Sequence, residues 1–150
     1  MQDNMEGITI PHSVKVNSDK KKKKYGKTLA QLPVYRDAAN MKFIVTHLMT
    51  KSPKKLLKFF DQMLMTVSEV KKSIGMADIS RNPLDRVWYL ECARVLVQDL
   101  SDDFTSLRKL EISVDRDCEN KARAMLKGMI AQLVAWRDYT SGEGVSQHNE

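Results

Sequence analysis

The sequence predicts an all-α protein, an antiparallel up-down-up-down four-helix bundle, on three observations. Apolar residues recur at spacings of three and four over four separate segments, the period of a helix with one buried stripe. No segment alternates polar and apolar residues over strand length, and the hairpin dipeptides Asn-Gly and Asp-Gly do not occur, so nothing supports a sheet. The links between the segments are short, which makes consecutive helices antiparallel neighbours.

The first segment is PVYRDAANMKFIVTHLMTK, in which Val34, Ala38, Met41, Val45 and Leu48 draw a single stripe and Pro33 suits the first turn. The second opens at Ser52-Pro53, read as a cap followed by a proline at the first helical position. Leu56, Phe60, Met63, Val67, Val70 and Ile74 follow on one face. The same cap-plus-proline pair recurs at Asn82-Pro83 and starts a third helix with Tyr89, Ala93, Leu96, Leu100, Phe104 and Leu107 facing inward. A fourth is expected from about Ser113, burying Cys118, Ala122, Met125, Met129, Leu133 and Trp136. This places one domain at residues 32–139. A basic arm at 1–31 and the polar segment 140–150 are read as disordered tails.

Composition narrows the class. Cys92 and Cys118 are 26 residues apart, without metal-ligand or CxxC spacing, and read as reduced thiols in a soluble, cytoplasmic chain. No apolar run reaches the ~18–20 residues that would span a bilayer, and the N-terminus lacks a signal-peptide layout. Enzymatic motifs are missing: no HExxH, no ExxH pair, no P-loop and no GxSxG. His12 and His148 fall in the tails. His47, with no carboxylate or cysteine near it in sequence, reads as a surface residue. Asp99, Asp102 and Asp103 lack the glycine of a calcium loop and read as a solvated face. No cofactor or metal is expected.

Charge is the informative feature. The net charge is +6, yet residues 1–75 hold 15 Lys/Arg against 6 Asp/Glu while residues 76–150 hold 10 against 13. An imbalance of this kind suits a polyanionic partner or electrostatic pairing between chains. Lys51, Lys54, Lys55 and Lys58 cluster at the start of the second helix, where cations oppose the macrodipole at a cost of about 0.3–1 kcal/mol each. Phosphate contacts offset such a cost, and a helix start adds N–H donors to them. Lys20, Lys21, Lys22, Lys23 and Lys24 form an unbroken run ahead of the bundle. Read alone, that run fits a nucleic-acid-binding arm, a localisation address or a solvated tail. Arg36 and Lys42 on the first helix complete the basic candidates. No RNA-recognition, KH or zinc-finger pattern is present, so binding through these residues is expected to reach phosphate and to be salt-dependent.

Four motifs resemble a known group. Leu32-Pro33-Val34-Tyr35 precedes the first helix, Ser52-Pro53-Lys54-Lys55 the second. Leu90-Glu91-Cys92-Ala93-Arg94-Val95-Leu96 with Asp99-Leu100 lies on the third, and Gln132-Leu133-Val134-Ala135-Trp136 on the last. In this order they resemble the bacterial four-helix-bundle accessory variability determinants of diversity-generating retroelements, relatives of the rRNA intervening-sequence proteins. The lysine-bearing extension lies outside that family core. The resemblance implies a non-enzymatic, basic homopentamer, bacterial or phage-borne, that binds the element's reverse transcriptase and template RNA or cDNA during mutagenic cDNA synthesis. An rRNA- or ribosome-associated bundle of the intervening-sequence type is the alternative, and a protein-only scaffold a third reading.

Overall fold

The computed structural model describes residues 28–110 and 115–149, with side chains as far as Gly142. Four helices pack against one another with no strand among the described residues. They are α1 (Pro33–Lys51), α2 (Leu57–Ile79), α3 (Pro83–Lys109) and α4 (Arg116–Asn149), with single 3-10 turns at Leu29–Gln31 and Lys54–Leu56.

Contacts between side chains fix the directions. Lys71 Nζ of α2 lies 5.7 Å from the centre of the Tyr35 ring of α1. Arg86, near the start of α3, reaches Ala77 and Ser80 at the end of α2. Arg137 of α4 pairs with Glu91 of α3, while at the far end Arg108 of α3 pairs with Glu119 of α4. Gln132, midway along α4, donates to Asp37 near the start of α1, while His47 near the end of α1 lies beside Asp115 at the start of α4. Every neighbouring pair is therefore antiparallel, and α4 closes the ring back onto α1.

The core is the set of stripes that the spacing predicted, with its phase adjusted. Met41, Val45, Leu48, Phe60, Met63, Ile74, Leu90, Phe104, Leu126, Met129 and Leu133 are among the side chains that lose almost all contact with water. Burying each large apolar side chain contributes about 1.5–3 kcal/mol. On α3 it is Leu90 and Val97 that point fully inward, with Tyr89 and Leu96 half-buried at the edge. On α4 the buried line runs through Glu119, Ala122, Leu126, Met129, Leu133 and Thr140, leaving Cys118, Met125 and Trp136 half-buried. The expected line followed hydrophobicity alone and so passed over Glu119, whose Oε2 is held by Arg108 from the surface, and Thr140, whose hydroxyl donates to the Trp136 carbonyl.

Element ends differ from expectation in three places. Thr28 to Gln31, expected to belong to the arm, pack on the bundle: Gln31 Oε1 accepts from the Thr28 N–H at 3.2 Å, and Leu29 is buried against Gly75 of α2, where a Cβ would lie 3.7 Å from its methyl group. Ser52 does not cap α2. Its hydroxyl donates back to the Leu48 carbonyl at 2.6 Å and closes α1, so α2 is entered through the 3-10 turn from Pro53. Asn82 does cap α3, accepting from the Leu84 N–H at 2.8 Å with Pro83 following. Beyond Tyr139, where a tail was expected, α4 continues to Asn149. Thr140 is buried and donates to the Trp136 carbonyl at 2.8 Å. No proline follows Pro83 to remove a helical hydrogen bond, and Gly142 only lowers propensity, by about 1 kcal/mol. The expected start of α4 near Ser113 lies outside the described residues.

Candidate nucleic-acid interface

The turn from α1 to α2 places four lysines at one end of the bundle. Lys51 closes α1, Lys54 and Lys55 belong to the 3-10 turn, and Lys58 is the second residue of α2. Leu56 and Phe60 anchor this stretch in the core, which turns the intervening lysines outward. All four are exposed, and none forms an ion pair with a described residue. No side chain caps the turn or the start of α2, and the Leu56 and Leu57 N–H groups donate to the Pro53 and Lys54 carbonyls.

The bundle topology adds basic residues that sequence reasoning missed. Because α3 ends and α4 begins at this same end, Arg108, Lys109, Arg116 and Lys121 join the four lysines. Over residues 47–58, 105–110 and 115–121 there are eight Lys/Arg and three Asp/Glu. Up-down-up-down order was the signal that could have found them. They divide by partner. Arg108 bonds Glu119 Oε2 through Nε at 3.1 Å and Asn120 through Nη2 at 3.0 Å, and Arg116 stands 3.8 Å from Glu119 Oε1. Lys109 and Lys121 are exposed, with no such tie to a described residue. Glu119 itself is 1% exposed; a buried carboxylate needs these guanidinium groups to remain charged.

His47 also departs from its expected isolation. Its Nε2 lies 3.2 Å from Asp115 Oδ2, while Asp115 Oδ1 accepts the Cys118 N–H at 3.1 Å. The Cys118 amide, then His47, hold the Asp115 carboxyl below its ordinary range. One carboxylate thus caps α4 and ties its start to α1.

The other predicted site residues do not join the cluster. Arg36 and Lys42 are exposed on α1. Arg36 is fifteen residues before Lys51, about 22 Å along the helix, and Lys42 nine, about 14 Å. Lys20, Lys21, Lys22, Lys23 and Lys24 lie outside the described residues. Thr28, eight residues after Lys20, is at the opposite end of the bundle from Lys51 to Lys58.

The motif residues occupy seams between helices. Arg94 grips Glu91 through Nε and Nη2 at 2.9 and 3.0 Å, and Arg137 reaches the same carboxylate from α4. The hydrogen bonds from Arg94, then Arg137, pull the Glu91 carboxyl down to about 2. Gln132 of the Gln-Leu-x-x-Trp motif joins Asp37 at 3.1 Å. Asp103, without such a partner, has its carboxyl pushed up by burial and by Asp99 and Asp102.

No family model matches this chain, and neither does a curated protein or a solved structure. The molecule is defined at the level of class: a four-helix bundle with lysines at one end that pair with no described residue. No helix among the described residues is long and apolar enough to cross a membrane.

Proposed function

We propose that the chain is a non-enzymatic accessory subunit of a diversity-generating retroelement, acting in the cytoplasm of a bacterial host. It holds template RNA or cDNA by phosphate contacts, assembles as a homo-oligomer (five copies by the family pattern) and docks the element's reverse transcriptase. The observation that carries the nucleic-acid part is the set Lys51, Lys54, Lys55 and Lys58, exposed and without an acidic partner among the described residues, at a helix start where cations are otherwise disfavoured. The polymerase and the element come from the motif resemblance.

Co-purification from the host, with identification of bound protein and nucleic acid, tests the reading. A reverse transcriptase with its template RNA is the expected eluate. Ribosomal RNA without a polymerase would favour the intervening-sequence type, and neither would favour a protein-only scaffold. In a purified system, RNA affinity is expected to fall with a log–log salt slope near −0.7 to −0.9 per contacted phosphate; a flat response overturns the phosphate-contact claim.

A further inference from the structure

The outward face of α3 carries large apolar side chains that the bundle leaves uncovered. Leu84 is 70% exposed, Trp88 63% and Val95 46%, and they fall on one side of the helix at spacings of four and seven. The Trp88 ring is braced edge-on against Tyr89, with centroids 5.2 Å apart, so it is a preset anchor. Toward the C-terminus the same face turns acidic, with Asp99 and Asp102 exposed.

The outward face of α4 is the counterpart. Ala124, Gly128, Ala131, Ala135 and Gly142 are all exposed, and a Cβ on Gly128 or Gly142 would meet nothing within 4 Å. Lys121 and Lys127 flank the N-terminal part of this track. The level of each residue is fixed by the α3–α4 pairs Glu91–Arg137, Thr105–Arg123 and Arg108–Glu119. By that register Trp88 and Val95 stand level with the stretch from Ala131 to Gly142. Asp99 and Asp102 stand level with Met129 and Leu126, beside Lys127.

We infer that α3 of one copy docks on α4 of the next, Val95 on the Ala131–Ala135 step, Trp88 beside Gly142, and Asp99 and Asp102 against Lys127. This inference rests on the homo-oligomer of the proposed function and names its contact faces. Copies related by a rotation axis parallel to the bundle meet without axial shift. At zero shift Val95 meets the Ala131–Ala135 step, Trp88 meets Gly142 and the exposed Tyr139 ring, and the acidic part meets Lys127, while Asp138 on the same face is already held by Arg137. Both matches hold in the same register, and the charge match selects a second copy as the occupant. Because the two faces differ, the contact is head-to-tail and each copy uses both.

The test combines two substitutions with a cross-link. Trp88→Ala is expected to weaken self-association by ~30-fold or more, and Val95→Arg to give monomers by light scattering. Both positions face solvent in the single chain, so helicity is expected to stay unchanged. In a Cys92→Ala, Cys118→Ala background, Val95→Cys with Ala131→Cys is expected to yield a ladder of disulfide-linked multimers on oxidation. Dimers from Val95→Cys alone would show a symmetric contact and overturn the pairing. An oligomer indifferent to Trp88→Ala and Val95→Arg, with no ladder, would overturn this face and leave oligomerisation standing. So would loss of polymerase co-purification with the oligomer intact. A wild-type monomer at micromolar concentration would overturn both readings.

Discussion

The two ends of the bundle use positive charge in opposite ways. Where α2 turns into α3, Arg86 closes the end of α2, its Nε on the Ala77 carbonyl at 3.0 Å and its Nη2 on the Ser80 carbonyl at 2.6 Å. One helical level further in, Arg94 and Arg137 converge on Glu91. Where α1 turns into α2, the lysines touch no acid among the described residues, and there Arg108, Arg116 and His47 are the engaged groups. Residue chemistry follows the division. The planar arginine fork suits fixed, bidentate joints, whereas a lysine ammonium on a mobile stem stays hydrated until an anion arrives. A charge with its partner already in place holds the fold; a charge without one is open to a ligand.

The sharpest way to break this comparison is to reverse charge at the lysine end. Lys54→Glu, Lys55→Glu and Lys58→Glu together are expected to lower RNA affinity by about a hundredfold and to flatten its salt slope, with the far-UV helical signal intact. Unchanged affinity in a filter-binding titration would move the site elsewhere. At the other end, Arg86→Ala should do the converse. It removes a donor from the Ser80 carbonyl and leaves the Ala77 carbonyl with the Ser80 N–H, and is expected to cost about 1–2 kcal/mol, lowering Tm by roughly 2–8 °C, while RNA affinity stays at the wild-type value.

Acid offers a finer probe. Glu91 is held at about 2 against an ordinary 4.5, so the folded state binds its proton less tightly than the unfolded chain. Its contribution is fully present above the ordinary value and is lost as pH falls through that window toward 2. In urea titrations between pH 5 and 2, Glu91→Gln is expected to remove part of the wild-type decline. The smallest effect belongs to Asp103, whose carboxyl is pushed up by burial. The folded state favours its proton, so ionisation at neutral pH opposes folding. Asp103→Asn is expected to raise Tm slightly at pH 7 and to leave it unchanged in acid.

The fold class and the lysine cluster were legible because both are local patterns. Spacings of three and four name a buried stripe, and Pro33, Asn82 and Pro83 mark starts through their own backbone chemistry. The parts that were not legible depend on residues far apart in the chain. His47 and Asp115 are separated by 68 positions, and nothing near either announces the other. Glu119 reads as an exposed acid until Arg108 arrives across the α3–α4 turn. Ser52 could serve either neighbouring helix, and the Leu48 carbonyl won. Thr28 and Leu29 became part of the fold through a contact with Gly75, 46 residues on from Leu29.

One asymmetry of the packing has a kinetic consequence. α3 packs extensively against both α2 and α4, whereas α1 meets α4 over a much smaller surface. There the Asp37–Gln132 and His47–Asp115 bonds are its polar ties. Local opening draws on the least-packed element first. Amide hydrogens of α1 are therefore expected to exchange ahead of those in α3, the last residues of α1 among them. Lys51 is one of those residues. An RNA that bridges Lys51 to Lys54, Lys55 and Lys58 would clamp the loosest helix to its neighbour, and slowed exchange across α1 would record its arrival.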